Sequence, residues 1–293
     1  MSEKIKIAQI GVGRWGKKLL PKFHEQADIV AACHSGNQGT ADWLRELGIP
    51  TLSFDDILSD KEIEAVIIAL PIYLHHDTTK RALEAGKHVF VEKPGSQTPT
   101  EMQELCEIAE RQYLQLAVGY KFVHAPAMKK LLFELISGRS IHAIQMDWLK
   151  MGTFGERLEY NLLVHELSIL KMLGLSLGSV HKNNYGTVGQ GDMLKVDDYL
   201  NHIGIYINRT SPGPSRKIVT IIPEESGKSW VWSGPNLFEI EHGNEKEIPI
   251  PLSNGDELSN EVANFLAAIR GDEKLITDGR FALEILKDLQ KFL

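Results

Sequence analysis

Short apolar runs punctuate the first 120 residues. Residues 5–10 (IKIAQI), 29–33 (IVAAC), 65–70 (AVIIAL), 88–91 (HVFV) and 114–119 (LQLAVG) are nearly continuous in hydrophobic character. Each reads as a strand buried on both faces. Between them, apolar positions recur at helical spacing over 14–26, 39–47, 76–85 and 100–112, with Gly48 and Gly86 as stops. Pro21 falls well inside the first of these helices, which predicts a kink or a shortened helix, because an interior proline removes a backbone bond. Strands alternating with helices predict a parallel sheet covered on both sides.

The pattern changes after residue 121. A helix over 126–137 precedes longer segments at 143–149, 200–208, 216–222 and 228–233 that read as strands. In 202–207, Ile203, Ile205 and Ile207 fall on one face, and His202, Gly204 and Tyr206 on the other. That period of two suits a sheet covered on one side only. SPGPS at 211–215 reads as a turn, and amphipathic helices return over 257–270 and 280–293. The expected fold class is α/β: an N-terminal doubly wound parallel sheet over 1–121, then over 122–293 an α+β domain with an open, mixed, largely antiparallel sheet. The open face is a candidate surface for a homodimer or homotetramer.

Composition narrows the function classes. The chain has 293 residues, enough for about two domains, and a formal net charge of −7, which disfavours nucleic-acid binding. Its two cysteines, Cys33 and Cys106, form no CxxC pair and suit a reducing compartment. The first residues are too polar for a secretory leader, and no apolar run approaches the ~20 residues needed to span a bilayer, so a cytoplasmic location without membrane contact is expected. Adjacent pairs such as His75-His76 and His165-Glu166 diverge, and no HExxH motif or cysteine cluster occurs, so no catalytic metal is expected.

The first strand runs into GVGRWG, residues 11–16. Gly11 permits a tight turn, Gly13 lets backbone approach a pyrophosphate, and Gly16 lets the next helix pack close, with Arg14 and Trp15 between them. Glycines also mark ordinary turns, but the position between a strand and a helix favours a dinucleotide site. An acid at the end of the second strand would bind the ribose hydroxyls of NAD. The chain has His34-Ser35-Gly36-Asn37 there, and His34, Ser35 and Arg14 could donate to a 2′-phosphate, which points to NADP ahead of NAD. The fourth strand ends in Glu92-Lys93-Pro94. A lysine at that edge, partly buried and close to an oxidised nicotinamide, is pushed toward a proton affinity useful near neutrality.

GVGRWG, LPIYLHH at 70–76, AGKHVFVEKP at 85–94, NEVANFLAAIRG at 260–271 and TDGRFALEILK at 277–287 together resemble the glucose–fructose oxidoreductase / inositol dehydrogenase (Gfo/Idh/MocA) family. The resemblance implies a Rossmann domain followed by an open-faced α/β domain, with NAD or NADP as cofactor. It implies that Lys93 contacts nicotinamide and substrate, and that Leu70, Pro71, His75 and Glu92 lie about the nicotinamide end. It also implies that His165 enters the active site, one helical turn from Asn161. Members often carry an acid where this chain has Asn161, and an amide cannot take a proton. Lys93 and His165 are then the proton-handling pair, and Tyr120, Lys121 and Asn161 are candidate substrate contacts. Phe122 and Val123 replace arginines found in many members. The resemblance implies hydride transfer to or from a carbinol carbon of a sugar, polyol or nucleotide-linked sugar. Two other activities fit the same fold: glycoside hydrolysis with transient use of bound nicotinamide, and non-catalytic nucleotide sensing.

Overall fold

Five apolar runs become five parallel strands because each places branched or small side chains against both faces of a sheet. They are β1 (Lys6–Ile10), β2 (Asp28–Cys33), β3 (Ala65–Ile68), β4 (His88–Glu92) and β5 (Leu116–Gly119). The structure is a computed structural model that describes residues 4–136, 140–150, 157–178, 181–187, 190–209, 214–224, 227–250 and 255–293. The strand order is β2-β1-β3-β4-β5, so the chain leaves β1 toward one edge and later fills the other. The crevice at that reversal, beyond the carboxyl ends of β1 and β3, is where such sheets bind ligands.

The connecting helices are α1 (Gly16–Gln26), α2 (Gln38–Glu46), α3 (Phe54–Ser59), α4 (His75–Glu84) and α5 (Pro99–Arg111). The helix α1 is not shortened at Pro21. The ring is solvent-exposed, so the carbonyl it frees can bond to water, and the helix continues to Gln26. The short helix α3 was not expected from periodicity. Ser53 caps it, its hydroxyl accepting the Asp56 N–H at 3.1 Å.

The chain divides into two units after Lys121, but the second does not run to the end. Residues 258–287 return to the first unit, which corrects the expectation that everything beyond 121 forms one domain. The physical reason lies in helix α8 (Glu257–Arg270), here numbered after helices α6 (Pro126–Ile136) and α7 (Val164–Met172). Val262, Phe265 and Leu266 of α8 are buried in the same core as Phe23 of α1 and Phe90 of β4. The three phenylalanine rings meet edge to face, with centroids 5.3–6.3 Å apart. Helix α9 (Gly279–Gln290) follows, and Asp278 before it bridges to Ala117 of β5.

The second unit holds residues 122–257 and 288–293. Its sheet is built from β6 (Ile141–Leu149), β7 (His181–Thr187), β8 (Gln190–Asp198), β9 (Ile203–Asn208), β10 (Arg216–Pro223), β11 (Lys228–Ser233), β12 (Asn236–Glu241) and β13 (Asn244–Ile248). Among the described residues the order is β13-β12-β11-β10-β6-β9-β8-β7, with β6 and β9 parallel and the other pairs antiparallel. Ile203, Ile205 and Ile207 are buried, whereas Gly204 and Tyr206 are half-buried. The strands β7, β8, β12 and β13 went unread in the sequence. The turn expected over 211–215 falls partly outside the described residues. No helix among the described residues is long and apolar enough to cross a membrane.

Phe265→Ala tests the return of α8 to the first unit. It is expected to lower the unfolding free energy by about 3–5 kcal/mol in a urea titration, the range for emptying a buried aromatic site. A loss below about 1 kcal/mol would show that α8 does not complete this core.

Candidate functional site

The three motif glycines meet different demands. Gly11 adopts φ +90°, donates its N–H to the Cys33 carbonyl at 2.9 Å, and would place a Cβ 2.4 Å from the Ala69 oxygen. A Cβ on Gly16 would lie 2.3 Å from the Gly11 oxygen and 2.7 Å from the Gln9 amide. Both are therefore fixed by the protein's own backbone. At Gly13 a Cβ would meet nothing within 4 Å, so that position faces open space, as a surface left clear for a ligand must.

That space is a cleft of about 840 Å³ lying entirely in the first unit. Gly11, Gly13, Arg14, His34, Ser35, Leu70 and Pro71, all read from the sequence as binding residues, line it together. Phe54 of α3 and Tyr73, two-thirds exposed, also line it and were not foreseen. The lining includes two cations, Arg14 and Lys17, and no carboxylate. His34 is committed locally: its Nδ1 accepts the Gly36 N–H at 3.1 Å, and its Nε2 lies 3.5 Å from the Thr51 hydroxyl. The residues present thus fit a dinucleotide, with a cradle at Gly13 and no acid to repel phosphate.

Glu92 and Lys93 stand one strand further along the same edge, at the end of β4, beyond the residues lining the cleft. The Trp15 indole N–H donates to the Glu92 carboxylate, joining the glycine loop to this strand end. Gly119 of β5 makes room, since a Cβ there would press within 3.2 Å of the Glu92 oxygen. Burial pushes the Glu92 carboxyl up to about 7, against the opposing pull of the Trp15 hydrogen bond and of Lys93. Lys121 lies over the Trp15 ring, its ammonium 5.8 Å from the centroid. Lys93 is half-buried, and its bond to Pro94 is cis.

His75 opens α4 at 1% exposure. Its Nε2 lies 2.8 Å from the Leu70 carbonyl. A carbonyl only accepts, so Nε2 carries the proton and Nδ1 is a bare lone pair, buried without a hydrogen-bond partner. Burial pushes this imidazole down to about 4, and the nearby Lys93 adds to the depression while the Leu70 bond opposes it. The expectation for Tyr120 needs correction. Its ring is fully buried against Phe281, centroids 5.9 Å apart, with the hydroxyl 3.5 Å from the Pro94 carbonyl, so it lies behind Pro94 without access to a ligand.

In the second unit, Asn161 and His165 do not share one regular α-helix. Residues Glu159–Leu163 form a π turn, in which the Val164 N–H reaches back five residues to the Glu159 carbonyl before α7 begins. Both side chains are 7% exposed. His165 packs against Phe122, ring centroids 5.1 Å apart, and Trp148, at 5.6 Å. Lys217 of β10 lies on the same two rings, 4.9 and 4.3 Å from their centroids, and is ion-paired to the fully buried Glu166. Burial pushes the Glu166 carboxyl up, while Lys217 holds it down. Lys217 escaped the sequence reading because a lysine in a strand resembles a surface cation. Among the described residues no group of three or more His, Cys, Asp or Glu could hold a metal ion.

The comparisons with known proteins agree with this geometry. Residues 5–120 match the family model described as an oxidoreductase family with an NAD-binding Rossmann fold, Gfo/Idh/MocA. A dTDP-3,4-didehydro-2,6-dideoxy-alpha-D-glucose 3-reductase of Streptomyces violaceoruber is 33% identical over 135 residues, 43% of this chain and 39% of that protein. An uncharacterised oxidoreductase of Synechocystis is 30% identical over 155 residues, 50% of this chain and 42% of that protein. The matched stretches thus span less than half the length of these curated relatives. Across nearly the whole chain the fold is that of UDP-N-acetylglucosamine 3-dehydrogenase from Acidithiobacillus ferrooxidans: TM-score 0.87, 19% identity, covering 99% of this chain and 97% of that one.

Two measurements check the electrostatics. Between pH 6.5 and about 4 the unfolded chain takes up a proton at His75 that the folded chain refuses, so stability falls as pH falls through that window. His75→Gln is expected to remove about 3 kcal/mol of the difference between urea unfolding at pH 7 and at pH 4. An unaltered difference would mean that the imidazole titrates as if in water. In the second unit, Lys217→Met leaves the Glu166 carboxylate buried alone and is expected to cost about 3–5 kcal/mol. Adding Glu166→Leu should restore most of that loss; failure to do so would show that Lys217 does not serve chiefly to balance that charge.

Proposed function

We propose that this chain is an NAD(P)-dependent oxidoreductase acting between a carbinol carbon and the corresponding carbonyl of a sugar or polyol, with nucleotide-linked sugars as the favoured substrate class. The observation that carries the reading is the sharing of one sheet edge by the glycine-loop cleft and the Glu92-Lys93-Pro94 segment, bridged by the Trp15–Glu92 hydrogen bond. Two similar proteins are named for chemistry at the 3-position of a nucleotide-linked sugar, which supports the substrate class.

The glycine loop, with Arg14 and Lys17, would hold the dinucleotide diphosphate. The absence of a lining carboxylate, together with the Ser35 hydroxyl, favours NADP over NAD. A nicotinamide bound there supplies the two-electron acceptor or donor. The chain's own part is proton transfer and placement. Lys93 Nζ takes the substrate hydroxyl proton in oxidation and returns it in reduction. His165 is assigned the second proton-handling role, and Asn161 a substrate hydrogen bond without proton transfer. Lys121 is a candidate cation for the substrate. The open face of the second sheet, on which Ile222 of β10 is exposed, is assigned to a second copy of the chain.

The test is a fluorescence titration with NADH and NADPH, followed by turnover on a panel of sugars, polyols and nucleotide-linked sugars. Tighter binding of NADPH is expected. Lys93→Met should keep nucleotide affinity while turnover falls about 10²–10⁴-fold, the range for losing a positioned acid–base group. Unchanged turnover would remove Lys93 from the chemistry. Glycoside cleavage without net change in the nucleotide would replace this reading with a hydrolase, and nucleotide binding without turnover across the panel with a sensor.

A further inference from the structure

Gln9, the last residue but one of β1, is fully buried, and no step of the proposed reaction uses it. Its amide nitrogen donates to two carbonyl oxygens of the glycine motif, Gly11 at 3.0 Å and Gly16 at 2.9 Å. The orientation of the amide is fixed by these partners. Turned over, it would set its own oxygen against two acceptors. In the orientation seen, the Gln9 oxygen is buried without a hydrogen-bond partner. A bare buried acceptor costs stability, and what the amide supplies in return is its hold on the two carbonyls.

We propose that Gln9 is a positioning residue for the dinucleotide diphosphate, acting through the Gly11–Val12 peptide. Gly11 is already restrained at two points, by its N–H to the Cys33 carbonyl and by the Ala69 oxygen against its α-carbon. Its remaining freedom is rotation of the peptide that follows, which a residue without a Cβ opposes weakly. A trans peptide is planar, with its C=O and N–H pointing in opposite directions. Holding the Gly11 carbonyl inward on Gln9 therefore turns the Val12 N–H outward. Val12 and Gly13 line the cleft, so that N–H is presented to an anion there. The second bond, to the Gly16 carbonyl, ties the same amide to the first residue of α1, which keeps the loop and the helix N-terminus in register. This inference rests on the reading that the cleft holds a dinucleotide.

Gln9→Met tests it, since methionine fills similar space while removing both donors and the bare acceptor. In the full chain, NADPH and ADP affinities are expected to fall about ten- to a hundredfold, the range for losing a hydrogen bond to a charged group. The melting temperature should change little, because the variant removes the bare Gln9 oxygen as it removes the donor to Gly11, and adenosine, measured by competition with NADPH, should bind as before because it has no diphosphate. Equal losses for adenosine and ADP, or a falling melting temperature with unchanged ADP affinity, would make Gln9 a structural strut and overturn the proposal. If the unaltered chain binds NADPH and NADH no better than a control protein, the dinucleotide reading falls and takes this one with it. If the unaltered chain binds and Gln9→Met binds equally well, only the present proposal fails. Should Gln9→Met not fold, Gln9→Asn, which keeps an amide too short to reach both carbonyls, answers the same question.

Discussion

The first unit depends on β1 being paired on both sides at once, with β2 along one edge and β3 along the other. That double pairing brings the Cys33 carbonyl, the Ala69 carbonyl and the end of β1 to one point, where only a glycine at positive φ fits. Gly11 is thus a geometric consequence of the sheet. Once it is fixed, the chain must turn over the sheet edge, and α1 begins at Gly16, its first turn closed on the glycine loop by the Lys17 N–H to the Gly13 carbonyl and the Leu19 N–H to the Trp15 carbonyl. The parallel register of β4 beside β3 then carries Glu92 and Lys93 to the same edge. A slip of one residue in β4 would turn Glu92 to the other face of the sheet, away from Trp15.

The first five strands could be read from the sequence because burial on both faces leaves an unbroken apolar run. The strands of the second unit bury one face only, and several carry charge on the other. In β13, NEKEI has almost no apolar signal, and its pairing with β12 places Lys246 opposite Glu239. Such a strand is recognisable only once its partner is known. The helix α8 shows a different limit. Its periodicity gives a helix with an apolar face, but nothing local says which sheet that face covers, and Phe265 finds Phe23 and Phe90 more than 170 positions earlier.

Site residues divide along the same line. Gly11 and Gly13 could be singled out because glycine alone opens positive φ and close backbone approach, and Leu70 and Pro71 because they stand in a motif of the family resemblance. Those defined by tertiary burial could not be. Tyr120 follows a strand, which suggests an edge position, yet it packs behind Pro94. Lys217 and Glu166 sit 51 positions apart and become a pair only when β10 lies beneath α7. The aromatic faces of Phe122 and Trp148 complete that arrangement: each is in contact with both the Lys217 ammonium and the His165 ring, so a cation in one place limits where an imidazole can sit in another.

Around Lys93 the same low-dielectric logic constrains what proton chemistry is available. His75 is enclosed, its one proton held on the Leu70 carbonyl and its other nitrogen buried, and burial pushes its imidazole down to about 4. Burial pushes the Glu92 carboxyl up to about 7, beside the lysine proposed as the acid–base residue. The Lys93 ammonium pulls that carboxyl back down through space, so the two charges are coupled. Trp15 enters this coupling because its indole bond favours the ionised carboxylate. The residue that follows Arg14 in the glycine loop thus acts on the charge beside the proposed acid–base residue. The loop that would hold the cofactor and the lysine that would move the proton are therefore joined electrostatically, through one carboxylate, before any ligand arrives.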